Sequence, residues 1–231
     1  TQYYKRSMKD NSEQKGGCKR SVHGATHAAR VFFLFHYTDL LIANGTHSLR
    51  GLANTINPNM RSLKTLLAMA PLLHDSGREM GGTDQWDHMS AENTVFLLHK
   101  NELEVSWAYV LGLYTEFKDS PDDVREFLER GEEPEYYKTY PHTQAFNELI
   151  TGHVKQEALG IAKTHHSLLC YFAHLTGIAD CLDIQRVRRS FDKKYILNKF
   201  MELKAQGIEI DDNIADTLIG FAKKFVHACG D

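Results

Sequence analysis

Three short segments gather the residues able to do acid–base, nucleophilic or metal chemistry. In His23-Gly24-Ala25-Thr26-His27-Ala28-Ala29-Arg30-Val31, His23 and His27 stand four residues apart. On a helix that spacing puts both rings on one face, where they can converge on one ligand. In Leu72-Leu73-His74-Asp75-Ser76-Gly77-Arg78-Glu79, an apolar run ends in an adjacent His and Asp. A helix leaving the core with such a pair at its mouth presents both at a pocket rim. In Ile178-Ala179-Asp180-Cys181-Leu182-Asp183, Asp180 is an acid in an otherwise apolar helix. A buried carboxylate needs a partner, and a histidine cluster supplies one. Each piece alone is weak, since a His pair at this spacing or a His-Asp dipeptide also occurs as plain surface or core. The ordered set H-x-x-R-V, L-L-H-D-x-G, A-D-x-L-D is far more specific.

The elements that must hold these residues read as helices throughout. Helical spacing recurs and period-two alternation is missing, which predicts an all-α fold. The helices expected are Val22 to Ala43 (stripe Val31, Leu34, Phe35, Leu41), Ser62 to His74 with a kink at Pro71, and Ser90 to Lys100 capped by Ser90. Glu104 to Phe117, Pro121 to Arg130, Thr143 to Lys163, Leu168 to Arg189, Asp192 to Gln206 and Ile214 to Cys229 follow. Residues 1–20 form a polar N-terminal segment and 21–231 one helical domain. The insert Gly131 to Pro141 reads either as an exposed loop helping to form a cap around 117–160 or as a bland helix connection. The stripe Trp107, Val110, Leu111, Tyr114 reads as core packing.

The 231 residues carry 27 Lys+Arg against 30 Asp+Glu, a formal charge of −3. Without a basic block there is no electrostatic case for nucleic-acid binding. No apolar run is long enough for a membrane span, and the polar N-terminus holds no signal-peptide core. The four Cys are scattered, as free thiols in a reducing compartment are, and Cys170 and Cys181 read as buried small hydrophobes. The 13 His are the feature out of line.

The ordered set resembles the HD phosphohydrolase superfamily, helical bundles that hydrolyse phosphoesters, usually with a metal. That resemblance implies an HD-like helical bundle with His27, His74, Asp75 and Asp180 as ligands. His165-His166 looks like the extra pair some members use for a second metal. A closer resemblance covers about Ser21 to Ile196. H-G-x-x-H, H-D-S-G-R-E, and D-C-L-D-I-x-R-x-R ahead of F-D-x-x-Y are similar to the phosphodiesterase domain of the SidE-type bacterial effectors, which act on ubiquitin. In that family the domain works without metal. A histidine attacks the phosphate of ADP-ribosylated ubiquitin, AMP leaves, and phosphoribosyl-ubiquitin passes to serine or water.

Carried onto this chain, the resemblance implies His23 as nucleophile and Glu79 as its orienting carboxylate. His165 and His166 are the first choices for the general acid/base, with His174 and His142 left open. His27, Arg30, His74, Asp75, Arg78 and Asp180 would line the phosphate, and Trp86 would stack on adenine or ribose unless it only plugs a core edge. The chemistry is coherent, because a neutral imidazole is a competent nucleophile near pH 7 once a carboxylate fixes its tautomer, and a second His can protonate the leaving oxygen. No cofactor or metal is then expected, and the partners are ubiquitin or its ADP-ribosylated form with an AMP- or ADP-ribose-type ligand. Location would be cytoplasmic, or the host cell for an effector secreted without a classical signal peptide. Two alternatives stand: a divalent-metal HD nucleotide phosphohydrolase, and a catalytically inert protein-binding module using the acidic segment Asp119 to Glu135.

Overall fold

A computed structural model describes residues 25–43, 47–76, 87–132, 137, 141–188 and 193–229. His23, Arg78, Glu79 and Trp86 lie outside the described residues. The described residues form helices and no strand. In chain order these are α1 (Ala25–Ile42), α2 (Leu49–Ile56), α3 (Leu63–Met69), α4 (Asp87–Lys100), α5 (Val105–Glu116), α6 (Asp123–Arg130), α7 (Gln144–Leu149), α8 (Gly152–Arg188), α9 (Lys193–Ala205) and α10 (Ile214–Cys229).

The local rules are visible at the ends. Ser48 caps α2 by accepting from the Gly51 N–H, and Thr143 caps α7 by accepting from Phe146 N–H. Gly131, at φ +65°, closes α6 in the left-handed conformation that glycine tolerates best. At Pro71 the helix tightens rather than bends: α3 ends at Met69 and Ala70–Leu73 continue as a 3₁₀ turn. That turn delivers His74 and Asp75 into the interior.

Four expectations change. Ser90 does not cap α4 but sits inside it, because the helix starts at Asp87. The helix expected from Thr143 breaks after Leu149, and the next spans Gly152 to Arg188 as two helices that meet at a kink at His165, between the ends expected at Lys163 and Leu168. Its only non-helical backbone is at His165 (φ −118°, ψ 20°). Helix α2 was not anticipated, since an eight-residue amphipathic piece offers too few periods. Finally, Leu41 is exposed while Val31, Leu34 and Phe35 are buried, and Cys181 is only half-buried whereas Cys170 is buried.

From Leu168 to Asp180, α8 is buried at every residue, so this stretch is enclosed on all sides and lies in the core, whereas the helix's first turns are mostly exposed. Helix α5 is buried from Ser106 to Glu116 as well. It packs between α4 and α8; α1 also packs on α8, and the 3₁₀ turn packs against α1 and α4. Tyr137, from the tyrosine-rich insert, is also buried and donates to both oxygens of Glu116.

Candidate active site

Three elements meet at one point: the first turn of α1, the 3₁₀ turn and the C-terminal part of α8. They bring together His27, His74, Asp75 and Asp180, all buried. One donor atom from each lies within 4.8 Å of all the others. The Nε2 atoms of His27 and His74 are 3.3 Å apart. Asp75 Oδ2 lies 3.3 Å from each of them, and Asp180 Oδ1 lies 3.4 Å from the first and 3.2 Å from the second.

The outer ring nitrogens explain why both Nε2 atoms face inward. His74 Nδ1 lies 2.6 Å from the Pro71 carbonyl, which only accepts, so Nδ1 carries the proton. His27 Nδ1 likewise donates to Asp183 Oδ2 at 2.6 Å. Asp183 is in turn gripped by Arg30, Nε to Oδ1 at 2.5 Å and Nη2 to Oδ2 at 3.3 Å. Asp183 is the second acid of the A-D-x-L-D motif, and its i,i+3 spacing to Asp180 is the signal in the chain that both acids share one face of α8. Arg30, expected at the phosphate, is buried and spends its guanidinium on Asp183.

Charge dominates this interior. Burial pulls the His74 ring down, but the carboxylates of Asp75 and Asp180 and their hydrogen bonds lift it further, to about 9. Burial also opposes charge on His27, and the hydrogen bonds from Asp180, Asp183 and Asp75 overcome it, raising the ring well above its usual value. Burial favours neutral Asp180 and Asp183. The imidazoles (with Arg30 for Asp183) outweigh it and hold both well below the ordinary carboxylate range. The four-residue donor set, two imidazole nitrogens and two carboxylate oxygens, also fits a divalent cation of the Mn, Fe or Zn kind. His27, His74, Asp75 and Asp180 would hold it, and it would polarise a phosphoryl oxygen.

The family follows from the chain as a whole. The model of the SidE phosphodiesterase (PDE) domain matches residues 2–231. The chain belongs to the SidE phosphodiesterase domain family. No match was found among curated proteins or among solved structures. Among the described residues of this SidE-type phosphodiesterase, no helix is long and apolar enough to cross a membrane.

The other expected histidines are not at the cluster. His165 sits at the bend of α8 with its ring tilted over Trp107, centroids 5.4 Å apart. His166 bonds Tyr114 and Asp122. Fourteen helical residues separate His166 from Asp180, a rise of about 21 Å. His174 faces Glu202, 3.4 Å away, and burial together with Lys199 pulls its ring down to about 4, leaving it neutral. His142 has the setting the others lack. Its Nδ1 is 3.1 Å from Glu92 Oε2, and its ring stacks on Phe146. Glu92 also accepts from the Thr143 N–H and hydroxyl. Burial would raise Glu92, yet the bonds from His142 and Thr143 hold it below the usual range. Its neighbour on α4, Asn93, donates to Ser76 at 3.0 Å, the residue after the His-Asp pair. No spacing rule links His142 to Glu92, fifty residues away, and this pairing could not be read from the chain.

Proposed function

We propose that this domain is a metal-independent phosphodiesterase acting on ADP-ribosylated or phosphoribosyl-linked ubiquitin, with His23 as nucleophile. The observation that carries the reading is the convergence, in a chain of this family, of His27, His74, Asp75 and Asp180 from three distant segments. His27 locks the start of α1 against α8 and the 3₁₀ turn, and His23 lies four residues ahead of it in the sequence. The imidazole of His23 attacks the phosphorus on the ribosyl side, the P–O bond to AMP breaks, and AMP leaves with the electron pair. Water or a serine hydroxyl then displaces the phosphoribosyl group from the ring nitrogen. Glu79 orients His23. His142, with its tautomer fixed by Glu92 and its helix neighbour tied to Ser76, takes the general acid/base role in place of His165 and His166. The carboxylates around His27 and His74 raise the proton affinity of both rings, and the protonated rings would offset the negative charge of Asp75 and Asp180, which supports a cluster that works without metal.

A second reading, a metal-dependent phosphohydrolase of the HD kind, is favoured by one observation: the inward-facing Nε2 pair and two carboxylate oxygens already arranged as ligands. One assay separates the two. Purified protein is mixed with ADP-ribosylated ubiquitin in excess EDTA, and AMP release is followed for the wild type and His23→Ala. Release in EDTA that is lost in His23→Ala is expected. Release abolished by EDTA and restored by Mn²⁺ would favour the metal reading, and full activity in His23→Ala would overturn the nucleophile.

A further inference from the structure

We propose that the outer face of α1 is a self-association surface, on which a second copy of this chain packs its own α1 antiparallel about a two-fold axis. The helix is inverted with respect to charge. Its two charged side chains lie inside: Arg30 is buried on Asp183, and Asp39 is buried where it accepts from the Leu49 N–H and the Tyr171 hydroxyl. What α1 turns to solvent is uncharged. Phe33 is 57% exposed and Leu40 74%, with Ala29 and Ala43 exposed in the same row. His36, half-buried among them, is pushed toward its neutral form by burial and by Lys64.

The spacing calls for a helix as partner. Thr26, Phe33 and Leu40 stand seven residues apart, and so do Ala29, His36 and Ala43, offset by three. That is the seam at which one helix seats the side chains of another, and here it lies on the open face. The seam also fits its own copy. An antiparallel mate, related by a two-fold axis at the level of Leu34 and Phe35, brings Leu40 over Ala29, Phe33 over His36 and Thr26 over Ala43. Large then meets small, rings meet at the centre, and the contact is the same from both sides, as a closed dimer requires. No ion has to be stripped of water on the seam.

The area is sufficient. Phe33, Leu40 and Leu41, the last 38% exposed, together leave roughly 350 Å² of apolar surface open. Half-buried rings widen it on both flanks. Phe32 meets the His36 ring edge-on at 4.6 Å, Tyr37 stacks on Phe221 of α10 at 3.7 Å, and Phe33 touches Phe225 at 5.9 Å. With these the face reaches about 700 Å² per copy, close to the ~800 Å² that each partner gives to a stable interface. The pairing stands whether or not the proposed reaction does, because the seam faces away from the His27–Asp180 cluster and sends the two His27 turns to opposite ends.

Sedimentation equilibrium of the 231-residue chain in reducing buffer, from about 1 to 200 µM, is the test. The wild type is expected to approach twice the 26.4 kDa mass of one copy. Leu40→Glu sets a carboxylate against the apolar seam and should raise the dissociation constant at least about thirtyfold, and Ala29→Lys should weaken pairing as well. Both positions are exposed in the single copy, so neither substitution disturbs its core. Combined in one chain, Ala29→Lys and Leu40→Glu put opposite charges in facing layers and should restore the dimer to within about tenfold of the wild type. A wild type that stays at the mass of one copy throughout would assign the face to another occupant and overturn the proposal. A dimer indifferent to Leu40→Glu, or a double variant no tighter than the single ones, would overturn it too.

Discussion

His74 is held from both sides, by the Pro71 carbonyl at Nδ1 and by two carboxylates at Nε2. Its raised proton affinity, about 9 against an ordinary 6.5, is therefore also a term in folding. A histidine raised on folding contributes stability that is complete below its unfolded value and lost as pH climbs through its folded one. Urea unfolding in EDTA should thus show stability falling from about pH 7 to about pH 9.5, by on the order of 3 kcal/mol for this ring. The His74→Gln variant should lack that component, and parallel wild-type and variant pH profiles would refute it. At this scale the chain was partly legible. The i,i+4 histidines, the His-Asp pair and the lone helix acid announced the four clustered groups, because each is an unusual residue in an apolar setting. A double histidine reads as one motif whatever lies around it, so the chain does not tell that His165 and His166 sit away from the His27–Asp180 cluster. The helical rise of α8 past its kink at His165 separates them from Asp180.

The helices themselves were legible where periodicity ran long, as in α5 and in α10, whose bounds Ile214 to Cys229 were read directly. The break at Leu149 was not, because helix ends are decided by caps and packing as much as by pattern. Close packing between elements also yields a paired test. A Cβ added at Gly112 on α5 would come within 2.6 Å of Val95 Cγ2 and 3.0 Å of the Ala91 carbonyl oxygen on α4. The backbone oxygen cannot swing away, so Gly112→Ala should destabilise by about 1–3 kcal/mol. Gly160 on α8 has nothing within 4 Å of the same position, so Gly160→Ala should stabilise by roughly 0.5–1 kcal/mol. Thermal melts of the two variants should move in opposite directions.

Across the whole molecule, one long helix ties the chemistry together. Helix α8 carries Asp180 and Asp183 toward one end, and its core half is enclosed by α1, α5 and their neighbours. The all-α class was legible because strand signals were missing along the entire chain. Which helix would be central was not, since burial on every side is a property of the assembled body. The His27 nest has a consequence at this scale. Two ring cations and the Arg30 guanidinium face Asp75, Asp180 and Asp183, and their formal charges sum to zero deep inside the protein. Such an arrangement casts almost no field into solvent and is barely reached by mobile ions. The single-turnover rate at saturating substrate should accordingly change less than about twofold between roughly 0.05 and 0.5 M NaCl. Any brine sensitivity would then belong to how the two macromolecules first find each other.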